Sequence, residues 1–306
     1  MLNKSVHSFM NGLIDYAGLY PPANLALTPA IQNYAHYINC DDRWMLACFI
    51  IAAGRLTELN KPLMALFSAE RPLSLSIICP HPPTDLNLIA KFKTKHGDKV
   101  SLDIIETKLP NAGHIEPYLV DVEAAFEKSG LTLRPYYELT FNDQWDDRLE
   151  STIQALARHN EKGETAVGFK LRCGGVKAHM FPTTTQVSRA IILCRDYNIT
   201  MKATAGLHHP LRHFNTSVNT KMHGFLNVFG GGMLAHVHHL TMAELQTIIA
   251  EENAAAFTFS ANTFTWQNLA VNTAQIQSLR QTKLTTYGSC SFDEPREDLQ
   301  TLGVLP

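Results

Sequence analysis

Short apolar runs alternate along the chain with segments of helical periodicity. Runs such as 44–53 and 73–80 have the length and the β-branched or apolar character of buried strands. The first predicted strand is "LIDYAG" at residues 13–18. The segment after it has the i, i+3, i+4, i+7 spacing of an amphipathic helix, with Ile31, Tyr34, Ala35 and Ile38 on one face. Eight such units predict a (β/α)8 barrel of the TIM type, with residues 1–306 in a single domain. An open, doubly wound sheet is the alternative.

The stretch 210–283 is longer than one barrel unit needs. It contains helical segments and alternating aromatic residues on either side of a polar turn at 260–262, which is the pattern of a hairpin. We therefore expect 210–283 to be a helical and hairpin insertion between strand 7 and strand 8. The aromatic residues of the hairpin suit a contact surface between copies of the chain, so a homo-oligomer is one expectation.

Composition narrows the classes of partner. The chain has 306 residues, 45% of them hydrophobic, and a formal net charge of −2. This near-neutral charge, without a basic run, argues against a nucleic-acid or anionic-membrane partner. No apolar stretch approaches the roughly 20 residues of a transmembrane helix, and the N-terminus lacks a signal-peptide pattern. None of the six cysteines forms a C-x-x-C motif, so we expect reduced thiols and a cytoplasmic protein.

Polar side chains collect near the carboxyl ends of the predicted strands, where barrel enzymes have their active sites. Because side chains alternate along a strand, polar residues two positions apart in the same strand lie on the same face of the sheet. We take the following residues as site candidates: Asp15, Glu106, Glu138, Lys170, Arg172, Lys202, Thr204, Ser289 and Ser291. Asp103 lies in strand 4 on the opposite parity from Glu106.

Lys170 and Lys202 each interrupt an apolar run. Burying an ammonium group is costly unless it is paired or its pKa falls. A lysine with a lowered pKa is the nucleophile that Schiff-base chemistry requires. We therefore predict an aldolase-like lyase in which one lysine forms an imine and the second lowers the pKa of the first by like-charge repulsion. A carboxylate, with Glu138 as the candidate, or a bound water carries the proton.

Three short pieces of the chain resemble the deoxyribose-phosphate aldolases. Lys202 in "MKATAGL" is similar to the strand-7 lysine motif of that family, and Lys170 precedes it by 32 residues, where the family has its strand-6 Schiff-base lysine. Asp103 in "SLDII" matches the family's strand-4 aspartate. The resemblance implies that Lys170 is the nucleophile, Lys202 its pKa-lowering partner and Asp103 the proton-relay acid.

The residues after Lys170 differ from that family, which has small hydroxyl residues where this chain has "KLRCGG". Arg172 in this segment is suited to clamp a carboxylate or phosphate, so we expect a small anionic carbonyl substrate. The substrate contacts are expected to come from Asp15, Glu106, Arg172, Thr204, His209, Ser289 and Ser291. His208 is a candidate acid–base group because imidazole titrates near neutral pH.

Two alternatives remain open from the sequence. Histidines after strand 7, together with carboxylates such as Asp15, suit a divalent metal in a lyase, isomerase or hydrolase. The other alternative is a barrel without catalytic activity that binds a ligand or a partner. The imine mechanism itself requires no cofactor and no metal.

Overall fold

The computed structural model describes residues 2–111, 113, 115–163 and 165–306 of the chain. Its first seven strands follow one another in sequence and run parallel. They are β1 (Ile14–Tyr16), β2 (Leu46–Ala52), β3 (Leu73–Ile78), β4 (Val100–Lys108), β5 (Arg134–Glu138), β6 (Gly168–Arg172) and β7 (Thr200–Thr204). Each strand pairs with its sequence neighbour, which is the arrangement that right-handed βα units produce.

Helices surround these strands and bury one apolar face against them. They are α1 (Lys4–Met10), α2 (Leu27–Tyr37), α3 (Lys61–Met64), α4 (Pro82–His96), α5 (Ile115–Ser129), α6 (Trp145–Lys162) and α7 (Thr184–Asp196). The start of α7 is fixed by a capping box, in which the backbone N–H of Gln186 donates to the hydroxyl of Thr183 and the Gln186 side chain accepts from the backbone N–H of Thr183.

The segment between β7 and the last barrel strand has its own secondary structure. Its strands are β8 (His213–Asn215), β9 (Thr220–Met222), β10 (Phe257–Phe259), β11 (Thr263–Trp266) and β12 (Leu269–Asn272). Its helices are α8 (Gly231–His238), α9 (Met242–Ala250) and α10 (Thr273–Thr282). The aromatic hairpin expected around 260–262 is present as β10 and β11, and β12 adds a third antiparallel strand.

The last barrel strand, β13 (Leu284–Ser289), closes the sheet between β1 and β7 and is followed by α11 (Asp293–Thr301). The strand order is β1-β13-β7-β6-β5-β4-β3-β2. The prediction of a closed (β/α)8 barrel with an insertion between its seventh and eighth strands is therefore confirmed, and the open doubly wound sheet is wrong.

The amino end of the barrel is covered by α1, which packs against α10. The Arg280 side chain of α10 reaches under the barrel and donates to the carbonyl oxygens of Phe9, Asn11, Gly12 and Leu284. This end is thereby closed, and the opposite end carries the polar side chains. None of the described helices is both long enough and apolar enough to cross a bilayer.

Candidate active site

Neighbouring strands bring three charged residues into one row across the barrel interior. The register pairs Glu138 of β5 with Lys170 of β6, and Lys170 with Lys202 of β7. Residues paired in this way point to the same face of a sheet, and all three side chains are buried. The two lysines predicted to be adjacent are therefore neighbours. They share the carboxylate of Glu106, and each has one further carboxylate of its own.

The Lys202 ammonium is fully enclosed. Its Nζ lies 2.9 Å from Asp15 Oδ2 and 3.4 Å from Ser76 Oγ, and it also donates to Glu106 Oε1. Asp15 is fixed in turn by the hydroxyl of Thr286 at 2.7 Å and the backbone N–H of Cys48 at 3.0 Å. Every partner of Lys202 is thus held in place by other atoms of the barrel interior.

Lys170 lies on the other side of Glu106. Its Nζ is 2.6 Å from Glu106 Oε2 and 2.8 Å from Glu138 Oε2. The second oxygen of Glu138 accepts from Arg172 Nε at 2.8 Å. The two lysines and Arg172 therefore face the carboxylates of Asp15, Glu106 and Glu138, and the cluster is balanced at three charges of each sign. Charges buried at this depth are tolerated only when they are paired and hydrogen-bonded.

Both lysines hold their protons more strongly than an ordinary lysine. Burial by itself lowers the pKa of Lys170, but Glu106 and Glu138 outweigh it, so the pKa lies above its ordinary value. Burial also lowers the pKa of Lys202, but Asp15 and Glu106 outweigh this effect, so the pKa of Lys202 lies well above its ordinary value. Lys202 lowers the pKa of Lys170 as expected, but by less than the carboxylates raise it. The sequence-based expectation of a lysine with a lowered pKa is wrong for the resting protein.

The carboxylates show the complementary shifts. Burial raises the pKa of Glu138, but Lys170 and Arg172 reverse this effect and hold it at about 2. The pKa of Glu106 is lowered well below its usual range, because Lys170 and Lys202 outweigh its burial. The resting cluster consequently consists of ion pairs throughout.

A cavity of about 630 Å³ opens above this cluster at the carboxyl ends of the strands. Glu106, Glu138, Lys170 and Arg172 contribute polar atoms to its wall. Most of the remaining wall is apolar and includes Tyr20, Pro21, Pro22, Ile50, Ile78, Val176 and Met180. This is the combination of an apolar cleft and a few convergent polar groups that ligand sites have.

Six of the predicted site residues line the cavity: Glu106, Glu138, Lys170, Arg172, Thr204 and His208. Lys202 and Asp15 are fully buried beneath it and are absent from its wall. Asp15 was expected to contact substrate. Its position instead assigns it to holding Lys202, because both of its oxygens are occupied by barrel atoms.

Asp103 is not brought into the cluster. It is the extra residue of a β-bulge in β4, since Leu75 pairs with Leu102 and Ser76 pairs with Ile104. Its carboxylate accepts from the Ser101 hydroxyl at 3.0 Å and lies 3.8 Å from Cys48 Sγ. Asp103 does not line the cavity, so its role as the proton-relay acid stays a prediction from the family resemblance.

The two predicted serines and His209 also lie outside the cavity wall. The alternation of β13 directs Gly288 and Cys290 to the cavity and leaves Ser289 and Ser291 on the other parity. His209 is turned toward α11, where its Nδ1 lies 2.6 Å from Asp298 Oδ2. These three assignments as substrate contacts are not supported by the positions of the side chains.

The histidines after β7 make separate polar contacts, although the rings of His209 and His213 lie 4.5 Å apart. His208 faces the cavity, His213 Nδ1 contacts the carbonyl oxygen of Leu211, and His223 Nε2 contacts that of Pro182. Within the described part of the chain, no group of three His, Cys, Asp or Glu side chains is arranged to hold a metal ion. The metal-dependent alternative therefore gains no support from these residues.

Sequence reasoning missed several groups that complete the site. Ser76 donates to Glu106 Oε1 at 2.6 Å, and Thr286 fixes Asp15. Ser76 stands at an alternating polar position of an otherwise apolar strand, so the period of two carried a signal for it. Thr286 follows Thr285 directly in the more polar strand β13, so it had no such signal. Cys290 and Tyr20, which line the cavity, had no comparable signal because neither interrupts an apolar pattern.

The comparisons with known proteins add little beyond this geometry. No family model matches the chain, and no curated protein matches it. A monomeric dihydrodipicolinate synthase variant has a TM-score of 0.36 and 14% identity, with 66% of this chain aligned to 64% of that one. This chain therefore spans less than two thirds of that protein's length. The crystal structure of apo-MsnO8 gives a TM-score of 0.39 and 11% identity over 97% of each chain. Likenesses this weak carry no argument about the chemistry of the cavity.

Proposed function

We propose that this barrel is an aldolase-like lyase in which Lys170 forms an imine with a small anionic carbonyl compound. The observation that carries the proposal is the position of Lys170, which is the buried lysine of the cluster that reaches the cavity wall. Lys202 is sealed beneath and is assigned a positioning role, in which its ammonium holds Glu106 and Asp15. The proposal therefore takes Lys170 as the nucleophile, where the sequence left the choice between the two lysines open.

The first step must remove the proton that the ion pairs hold on Lys170. Glu138 Oε2, at 2.8 Å, and Glu106 Oε2, at 2.6 Å, are within hydrogen-bond reach to accept it. The neutral amine then attacks the substrate carbonyl carbon, and the carbonyl electron pair moves to oxygen. The carboxylic acid returns this proton to the oxygen and makes a hydroxyl. A second proton then passes from the attacking nitrogen through the same carboxylate to the hydroxyl, which leaves as water and yields the iminium. The iminium accepts the electron pair of the carbon–carbon bond that breaks.

Arg172 supplies the anion specificity. Its Nε is bound to Glu138, and its side chain remains a quarter exposed toward the cavity. Guanidinium groups held on one side by a carboxylate retain N–H donors for a second anion, and Arg suits planar carboxylates and phosphates. The apolar wall around it favours a substrate whose remaining body is small and apolar.

Borohydride trapping tests the proposal directly. The protein is incubated with pyruvate as a carboxylate probe and dihydroxyacetone phosphate as a phosphate probe, reduced, digested and mapped by mass spectrometry. We expect an adduct on Lys170 with at least one probe and none in Lys170→Met. Lys108 also lines the cavity but lies at its exposed rim, so Lys108→Met is the matched control and keeps the adduct.

Two outcomes contradict the imine mechanism. One is the absence of a Lys170 adduct across these probes and a wider panel of 2-oxo acids and aldehydes. The other is an adduct that forms equally on Lys108, which indicates non-specific amine chemistry. Ligand binding without an adduct, seen as a shift of the melting temperature with the same panel, favours the barrel that only binds.

A further inference from the structure

The wall of the cavity contains a thiol and an imidazole that the imine mechanism does not use. Cys290 Sγ lies 3.5 Å from His208 Nδ1, within the distance of a sulfur hydrogen bond. Both residues line the cavity, and both are about nine-tenths buried, with 8% and 9% of their surface exposed. They come from the ends of different strands, so only the closed barrel brings them together.

The groups around Cys290 act on the pKa of its thiol in opposite directions. The backbone N–H of Ala23 and the backbone N–H of Cys290 itself both point at its Sγ. Glu294 Oε2 lies 3.6 Å from His208 Nδ1, where it stabilises an imidazolium. Burial raises the pKa of the Cys290 thiol and lowers that of His208 to about 4, so the resting pair is a neutral thiol and a neutral imidazole at hydrogen-bond distance. Such an imidazole is free to accept the proton when the sulfur reacts.

His208 gives an independent indication that the pair faces a ligand. Its Nε2 has no hydrogen-bond partner among the described residues, although the side chain is nine-tenths buried and lines the cavity. A neutral imidazole that accepts at Nδ1 carries its proton on Nε2 and so offers a donor to whatever enters. Cys79, by contrast, lines the same cavity and has no imidazole at its sulfur among the described residues.

We propose that Cys290 and His208 make the cavity a covalent binding site for small α,β-unsaturated carbonyl compounds. The thiol proton moves to His208 Nδ1 as the sulfur bonds to the β-carbon of the ligand. The electron pair of the carbon–carbon double bond shifts toward the carbonyl, and the α-carbon then takes the proton from His208. The reaction is a net addition of the thiol across the double bond, so it needs no oxidant and no leaving group.

Acrylamide labelling of the native full-length chain tests the proposal, with the rate at each cysteine followed by peptide mass spectrometry. Cys290 is expected to react faster than Cys79. Because Cys79 is also the less exposed of the two, the decisive comparison is His208→Asn. This variant should slow Cys290 labelling at least about a hundredfold, the low end of what a positioned general base contributes, and leave Cys79 labelling unchanged.

A second variant, His208→Gln, guards against a folding defect in the first, and the melting temperature of each is measured. The proposal is overturned if Cys290 reacts no faster than Cys79, or if both histidine variants leave the Cys290 rate unchanged. It is also overturned if they slow both cysteines equally, since that result means a general change of the cavity. The assay is repeated in Lys170→Met, so that its outcome is independent of imine formation.

Discussion

The two ends of the barrel each bury positive charge, and they stabilise it by different means. At the carboxyl end, Lys170, Lys202 and Arg172 are paired with three carboxylates beneath an open cavity. At the amino end, the guanidinium of Arg280 donates to backbone carbonyl oxygens, among them those of Phe9 and Leu284, and lies 5.8 Å from the centre of the Phe229 ring. Burial lowers the pKa of Arg280 to about 9, so this group is still charged at neutral pH.

The difference separates a cation that only stabilises the fold, Arg280, from one placed to take part in a reaction, Lys170. Carbonyl oxygens accept hydrogen bonds but take up no proton, so Arg280 ties α1 to β13 and has no partner for proton transfer. Carboxylates do take up protons, and those around Lys170 lie next to space for a ligand. A buried ion-pair cluster is often no more stable than an apolar core of the same volume, so its presence beside a cavity favours a role in chemistry.

Removing the sealed lysine should give the largest loss of stability. Lys202→Met leaves Asp15 fully buried without its counter-charge, and breaking a buried pair in this way typically costs about 3–5 kcal/mol. Urea unfolding measures the effect, and the double variant Lys202→Met/Asp15→Asn should recover part of it. A loss below about 1 kcal/mol, the size of an ordinary substitution, means that Lys202 does not stabilise the buried charge of Asp15.

Acid should weaken the carboxyl end before the amino end. The pKa of Glu138 is depressed from its ordinary value of 4.5 to about 2, so its contribution is present above about pH 4.5 and is lost as the pH falls through about 2. The shift corresponds to about 3 kcal/mol at most. Unfolding measured from pH 5 to pH 2 should show a steeper loss in the parent protein than in Glu138→Gln. Equal slopes mean that Glu138 is not held ionised by Lys170 and Arg172.

Substitution of the amino-end cation should have the smallest effect of the three. Arg280→Met removes hydrogen bonds to the carbonyl oxygens of α1 and β13, but a cavity of about 390 Å³ at this end admits water to replace them. We expect a loss of about 2 kcal/mol in urea unfolding, with Arg280→Lys retaining part of it. Borohydride trapping at Lys170 should continue in both variants. Loss of trapping without unfolding means that the two ends are coupled.

The sequence by itself determined the barrel fold and showed which polar residues face the barrel interior. The alternation of apolar runs with helical segments fixed the fold class, because each element must bury its apolar face against another. The period of two put Lys170 and Lys202 on the same face of adjacent strands, and the register confirms that they are paired. The aromatic hairpin of the insertion was predictable for the same reason.

Only the tertiary structure decided which of these residues meet. Register neighbours in a barrel stand at different heights because the strands are tilted and staggered, so Lys170 reaches the cavity while Lys202 stays below it. The direction of both lysine pKa values depends on carboxylates contributed by β1, β4 and β5, which no local pattern reveals. The pairing of Cys290 with His208 likewise follows from barrel closure, since residues 82 positions apart meet only when β13 joins β7.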